Sequence, residues 1–187
     1  MRKRKLCFED GMLKQEGASL PEVVIVLVLA MLLAAVIIPR VLNSKVAANE
    51  ASAVGNVDVI TMAQESYKSA YPHLGYAASL SDLAPASCAK KPCVPTPQHA
   101  CLIDCALPAA TSASKDGYFY NLSPGNDLVT LPRKSYVVAA TAATLAKTGN
   151  HNYCAVEDRR IRYSQPQQAI PVTSINWSNC RALPVMP

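Results

Sequence analysis

An unbroken run of 16 apolar residues, from Val23 to Ile38, constrains this 187-residue chain more than any other feature. A helix from Ala18 to Ile38 contains 21 residues and spans roughly 31 Å, which is enough to cross the hydrocarbon core of a bilayer. The rest of the chain is polar and rich in proline and serine. These features predict one modest soluble domain joined to a membrane-spanning helix.

Charges and cysteines on either side of the run indicate how the chain crosses the membrane. Basic residues precede the run and place the N-terminus on the cytoplasmic side; they are Arg2, Lys3, Arg4, Lys5 and Lys14. One of the seven cysteines, Cys7, also precedes the run, and the other six follow it. An even distal set is typical of disulfides formed in an oxidising compartment, although six cysteines allow 15 pairings. We therefore expect the distal domain to be exported.

Two simpler kinds of segment fit part of this pattern. A cleaved secretory signal has an apolar stretch of about 7–15 residues followed at once by a small-residue cleavage box. The nearest such box here, Ala51–Ala53, begins 13 residues after Ile38. An uncleaved signal anchor fits the run itself. Neither segment accounts for Glu22, unless this acid is an interfacial residue favoured by the helix dipole.

The order of residues around Glu22 is more specific. The segment Lys14–Glu22, KQEGASLPE, followed by the apolar run, resembles the type III signal sequence of type IV prepilins. The resemblance implies that a prepilin peptidase cuts between Gly17 and Ala18, that Ala18 is then N-methylated, and that Glu22 is the fifth residue of the mature chain. Pro39 is mature residue 22, where the family commonly has a helix-kinking proline. Glu22 and Pro39 are thus the residues expected to act in assembly.

The match has two departures. Ala18 stands where the family usually has phenylalanine, a change that peptidases of this family often tolerate. Pro21 stands where the family commonly has an aliphatic residue, and proline is acceptable in the first turn of a helix, where its missing N–H has no partner to lose. The resemblance is strongest over residues 14–40 and weaker up to about residue 163.

The resemblance implies a structural, non-enzymatic subunit of a bacterial type IV pilus or type II secretion pseudopilus. Its partners would be the prepilin peptidase, an inner-membrane assembly platform, the membrane itself, and further copies of the chain or other pilins. The chain would cross the inner membrane once, with a cytoplasmic N-terminus and an exported domain, and end in a periplasmic pseudopilus or an extracellular pilus. Alternatives are a DNA-uptake or adhesive minor pilin and, more remotely, a membrane-anchored exported enzyme.

The helical pattern continues past Pro39. Apolar residues recur at three- and four-residue spacing and predict one buried face; they are Ala53, Val57, Ile60, Ala63, Tyr67 and Ala70. Charged residues mostly lie on the other faces; they are Glu50, Asp58, Glu65 and Lys68. Tyr71-Pro72 is a natural stop. We predict one helix from Ala18 to Tyr71, with a membrane span followed by a separate helix as the alternative.

Residues 72–115 are predicted to form a long, irregular, proline-rich connection. Four cysteines in it have the spacing C-x4-C-x7-C-x3-C; they are Cys88, Cys93, Cys101 and Cys105. Zinc could use His99 and three of these thiols, but no C-x2-C pair is present, and an exported segment favours disulfides. Since these four cysteines cluster together, the preferred partner of Cys180 is Cys154.

Strand patterns follow this connection. Gly117–Leu122 and Ser135–Ala140 are apolar runs, and Asn152–Val156 and Arg160–Tyr163 flank a charged turn, as in a hairpin. Three or four antiparallel strands packed on a long helix define an α+β, pilin-like fold. The predicted segments are the leader 1–17, the filament-core helix 18–39, its amphipathic continuation 40–71, the αβ-loop 72–115, the sheet 116–163 and the tail 164–187.

Motifs for catalysis, metal or nucleotide binding are absent from the sequence, so we expect no catalytic residue, metal or cofactor. The histidines His73, His99 and His151 are predicted to be loop residues. Small basic clusters lie at residues 133–134 and 159–162. The chain has 18 basic and 13 acidic residues, of which the leader holds five and three, so the mature net charge is +3. That charge is too small to predict a nucleic-acid partner.

Overall fold

The computed structural model describes residues 20–89, 92–125, 130–164 and 176–187. The chain divides into two compact units, the first ending at Arg40 and the second beginning at Val41. The predicted leader, residues 1–17, lies outside the described residues.

A single helix, α1, runs from Leu20 to Ala70. The one-helix prediction is therefore confirmed, and the helix ends one residue before the predicted Tyr71. Its buried side chains recur mostly three or four residues apart and are Val46, Ala53, Val57, Ile60, Thr61, Ala63, Gln64 and Tyr67. The predicted buried face is correct except at Ala70. This residue is exposed because it is the last of the helix, and the chain turns at once, with the Gly75 amide bonding the Tyr71 carbonyl at 3.1 Å.

Four strands form one antiparallel sheet in the order β1-β2-β3-β4. They are β1 Tyr118–Pro124, β2 Tyr136–Ala142, β3 Tyr153–Val156 and β4 Arg162–Tyr163. Each overlaps a predicted strand, and β3 and β4 form the predicted hairpin, with Cys154 opposite Arg162. Strand β4 is shorter than predicted, because the Arg160 amide bonds the Asp158 carboxylate at 3.1 Å and so continues the turn.

Helix α1 packs on one face of this sheet through a shared apolar core. Val57 and Ile60 of α1 are fully buried in one cluster with Tyr120 of β1 and Tyr136 of β2. Full burial of a valine- or isoleucine-sized side chain contributes about 1.5–3 kcal/mol. The long-helix, small-sheet α+β prediction is therefore confirmed.

Residues 72–115 were predicted to form an irregular connection. This prediction is wrong in part, because the described residues of the segment include two four-residue helices. Helix α2, Leu80–Leu83, begins with a capping box in which Ser79 and Asp82 each bond the backbone amide of the other. Helix α3, Ala106–Ala109, follows the cysteine-rich part. Both helices bury a leucine in the main core. Helices of four residues are too short to show a periodic pattern, so they were not predicted.

The opposite face of the sheet is covered by a helix in the predicted tail, α4, Trp177–Arg181. Cys180 of this helix is fully buried in a second cluster with Val137 of β2 and Val156 of β3. The chain then runs along β4, where the Tyr163 amide donates to the Pro184 carbonyl at 3.1 Å and the Met186 amide donates to the Ile161 carbonyl at 2.9 Å. The tail therefore both covers the sheet and extends its edge.

Candidate assembly site

The first half of α1 exposes its apolar surface. Between Val23 and Ile38 the large apolar side chains are 45% to 69% exposed. None of the most apolar 18-residue window of α1 is buried, and by length and composition α1 is the one described helix that could span a membrane. A continuous apolar surface of this size marks contact with lipid or with another apolar partner.

Glu22 and Pro39 interrupt this apolar surface near its two ends. Glu22 is an exposed acid in the first turn of α1, and Pro39 lies inside the helix, 17 residues further on, or about 25 Å along the axis. Pro39 has no N–H, so the carbonyl of Ala35 lacks its usual helical hydrogen bond. No described residue forms an ion pair with Glu22.

The predicted processing residues lie outside the part of the chain that the structure describes. Gly17 and Ala18 both precede Leu20, the first described residue. The cut between them and the methylation of Ala18 therefore stay predictions. Glu22 and Pro39, the two predicted assembly residues, share one helix with the exposed apolar run.

Polar side chains fasten the second half of α1 to the loops around the sheet. The Asn49 side-chain amide donates to the Thr148 carbonyl at 2.9 Å, and the Ser52 hydroxyl donates to the Asp116 carboxylate at 2.7 Å. Hydrogen bonds from Ser52 and from Lys115 lower the pKa of Asp116 below its usual value. These contacts anchor the helix from Asn49 onward.

Glu50 is an anchor that the sequence did not reveal. Its Oε1 atom accepts from the backbone amides of Asn150 at 2.6 Å and His151 at 3.2 Å, and from His151 Nδ1 at 3.2 Å. The Glu50 side chain is consequently only 19% exposed. Helical periodicity placed Glu50 off the apolar face, but it carries no information about partners 100 residues away in the sequence.

All six distal cysteines form disulfides, which are Cys88–Cys105, Cys93–Cys101 and Cys154–Cys180. The predicted pairing of Cys154 with Cys180 is present. The other two disulfides lie entirely within the connection between α1 and β1. Across the described ranges, no group of three or more His, Cys, Asp or Glu residues could hold a metal ion.

The candidate site is therefore the exposed apolar half of α1, with Glu22 near its N-terminal end. The second half of the same helix is part of the folded unit. Outside a membrane, such a helix is stable only when other apolar surfaces cover it. No protein-family model, curated protein or solved structure matches the chain.

Proposed function

We propose that this chain is a prepilin whose mature form polymerises through α1 into a type IV pilus or a secretion pseudopilus. The observation that carries the proposal is the division of α1. Its first half is exposed and apolar, with Glu22 near the start, whereas its second half is built into the folded unit. The segment Lys14–Glu22 resembles the processing signal that such a subunit needs.

Processing would create a positive charge that can pair with Glu22. Hydrolysis of the bond after Gly17 releases a leader with five basic residues and leaves a protonated amine on Ala18, which keeps its positive charge when methylated. An unpaired carboxylate in an apolar bundle is costly, so the amine of one subunit and Glu22 of its neighbour stabilise each other. Because the two charges must meet, the pair also sets the axial register between subunits.

Before assembly, the bare half of α1 would be held in the inner membrane. The basic leader keeps the N-terminus cytoplasmic, and its removal lowers the charge that resists extraction from the membrane. Three disulfides, all in the second unit, support export of the folded domain into an oxidising compartment.

Of the two filament types, we favour the extracellular pilus. Two disulfides cross-link the connection after α1, and a third anchors the tail, as suits a subunit exposed outside the cell. Deleting the gene separates the alternatives. Loss of surface filaments with normal protein secretion supports the pilus, and loss of secretion with normal surface filaments supports the pseudopilus.

Two measurements test the part that both filaments share. Mass spectrometry of the protein from native membranes should find a chain that begins at methylated Ala18. Glu22→Ala should be cleaved normally but should yield few or no filaments in electron micrographs of sheared cells. Glu9→Ala is the control, because this acid leaves with the leader and lies outside the Lys14–Glu22 segment, and it should be cleaved and assemble normally. A native chain that begins elsewhere, or abundant filaments from Glu22→Ala, would contradict the proposal.

A further inference from the structure

A cavity of about 200 Å³ opens beside the Glu50 anchor. Its lining residues are Glu50, His151, Tyr153, Tyr163, Met186 and Pro187. All of them belong to the second unit, and the proposed assembly through the bare half of α1 assigns the cavity no role.

The negative charge of Glu50 in this cavity is incompletely neutralised. Oε1 accepts three hydrogen bonds, whereas no hydrogen bond joins Oε2 to a described residue. No described lysine or arginine pairs with Glu50, and His151 is charged only when protonated. Burial raises the pKa of Tyr153 to about 12, and the negative charge of Glu50 contributes a smaller part of this increase. A largely buried glutamate normally has a cationic partner, so this carboxylate can accept one from outside the chain.

Aromatic rings form the walls around the carboxylate. The His151 ring stands edge-on to Tyr163, with centroids 5.5 Å apart and an interplanar angle of 84°, and lies 6.3 Å from the Tyr153 ring. Neither phenol oxygen forms a hydrogen bond with a described residue, so both can accept an N–H donor. Tyrosine rings also attract cations electrostatically. The walls therefore complement an organic cation in both polarity and charge.

We propose that this cavity binds an alkylammonium group, the chemistry shared by a lysine side chain of a partner protein and a free primary amine. The ammonium would meet Oε2 of Glu50, and the methylenes would lie against the rings and Met186. At about 200 Å³ the cavity exceeds the roughly 150 Å³ of a cavity that binds benzene, so it has room for the butylammonium end of a lysine. Glu50 repels anions, and one carboxylate with one imidazole is a poor ligand set for a metal ion.

Calorimetric titration of the full chain in detergent micelles with n-butylammonium chloride at neutral pH tests the site. We expect saturable binding, and at least about tenfold weaker binding of butan-1-ol, which lacks the charge. Glu50→Gln keeps an oxygen for the three N–H donors but removes the charge, and should weaken n-butylammonium binding about tenfold. Asp58→Asn, the matched control, removes the same charge from α1 outside the cavity and should leave binding unchanged.

One further variant and one further ligand extend the binding test. Tyr163→Leu keeps an apolar wall but removes the aromatic face, and should weaken binding about threefold. N-acetyl-lysine methylamide carries the same ammonium on a peptide unit. Binding as tight as that of n-butylammonium supports a protein lysine as the ligand, and at least about tenfold weaker binding supports a free amine.

The site is refuted if neither amine binds saturably up to about 50 mM, a weak affinity for a charged ligand. It is also refuted if Glu50→Gln and Asp58→Asn bind n-butylammonium equally. Unchanged circular dichroism of the variants shows that folding does not explain a loss. Filament formation is not needed for this binding, so failure of the site leaves the proposed function standing.

Discussion

Gln64 is a polar residue in the apolar core, and its replacement tests how α1 is joined to the rest of the domain. The side chain is fully buried. Its Nε2 donates to the Ala77 carbonyl at 3.2 Å, and its Oε1 accepts from the Ala77 amide at 2.8 Å. Ala77 is itself fully buried. Gln64→Leu preserves most of the volume but leaves both backbone groups of Ala77 buried without a partner.

The expected loss follows from those two groups. Each buried backbone group left unpaired costs about 1–3 kcal/mol, and the more apolar leucine offsets about 1–2 kcal/mol of the total. We expect Gln64→Leu to lower the free energy of unfolding by about 1–4 kcal/mol. Ser66→Leu, on the exposed face of the same helix, is the control and should change it by no more than about 0.5 kcal/mol.

The variant Gln64→Glu provides a second test of the same hydrogen bonds, because its stability should depend on pH. An ionised carboxylate can accept from the Ala77 amide but cannot donate to the Ala77 carbonyl, so burial and that carbonyl both favour the protonated form. The folded-state pKa of the new carboxyl therefore lies above its unfolded value of about 4.3. Its stabilising contribution is complete below about pH 4.3 and is lost as the pH rises through the folded-state pKa. Relative to the wild type, this variant should thus be least stable near neutral pH.

Both variants can be followed by guanidinium unfolding of the full chain in detergent micelles. The fluorescence of Trp177, the single tryptophan of the chain, reports the transition. A loss of less than about 1 kcal/mol for Gln64→Leu would refute the proposed role of the Ala77 hydrogen bonds. So would a Gln64→Glu variant whose stability relative to the wild type improves from acid to neutral pH.

Two further predictions concern the tail and the turn before β4. Replacing both Cys154 and Cys180 with alanine removes a cross-link with a sequence separation of 26, worth roughly 3.5 kcal/mol in unfolded-chain entropy. The unfolding midpoint in guanidinium should fall clearly, and an unchanged midpoint under non-reducing conditions would contradict this estimate. Asp158 has a pKa lowered by its hydrogen bonds from Arg162. Its stabilising contribution is therefore present above the unfolded value of about 3.9 and lost as the pH falls. Asp158→Asn should reduce stability at neutral pH and make the unfolding midpoint less sensitive to acid, and a variant as acid-sensitive as the wild type would argue against this ion pair.

Elements with a strong local pattern were predictable from the sequence. Tyr71-Pro72 predicted the end of α1 because proline cannot continue a helix, and the apolar run from Ser135 predicted β2. Helix α4 escaped prediction because its stability comes from distant contacts. The Trp177 indole donates to the Glu157 carboxylate at 2.7 Å, and Cys180 is bonded to β3.

The candidate sites divide in the same way. Glu22 and Pro39 could be proposed from the sequence because a local motif and a fixed spacing mark them, and their role in assembly stays a prediction. The contacts of Gln64 and Glu50 could not be predicted. The sequence does not distinguish a polar helix residue that faces water from one that bonds a backbone group of a distant segment. Only the folded chain brings Glu50 next to His151, 101 residues later.

The backbone of residues 184–186, laid against β4, limits how copies of this chain can join. An unpaired strand edge is a template on which another chain can add by main-chain hydrogen bonds, and such growth leads towards amyloid. Here Pro184 and Met186 already occupy groups of that edge. In a polymer of the proposed kind, this self-pairing removes one route of association that would compete with contacts through the bare half of α1.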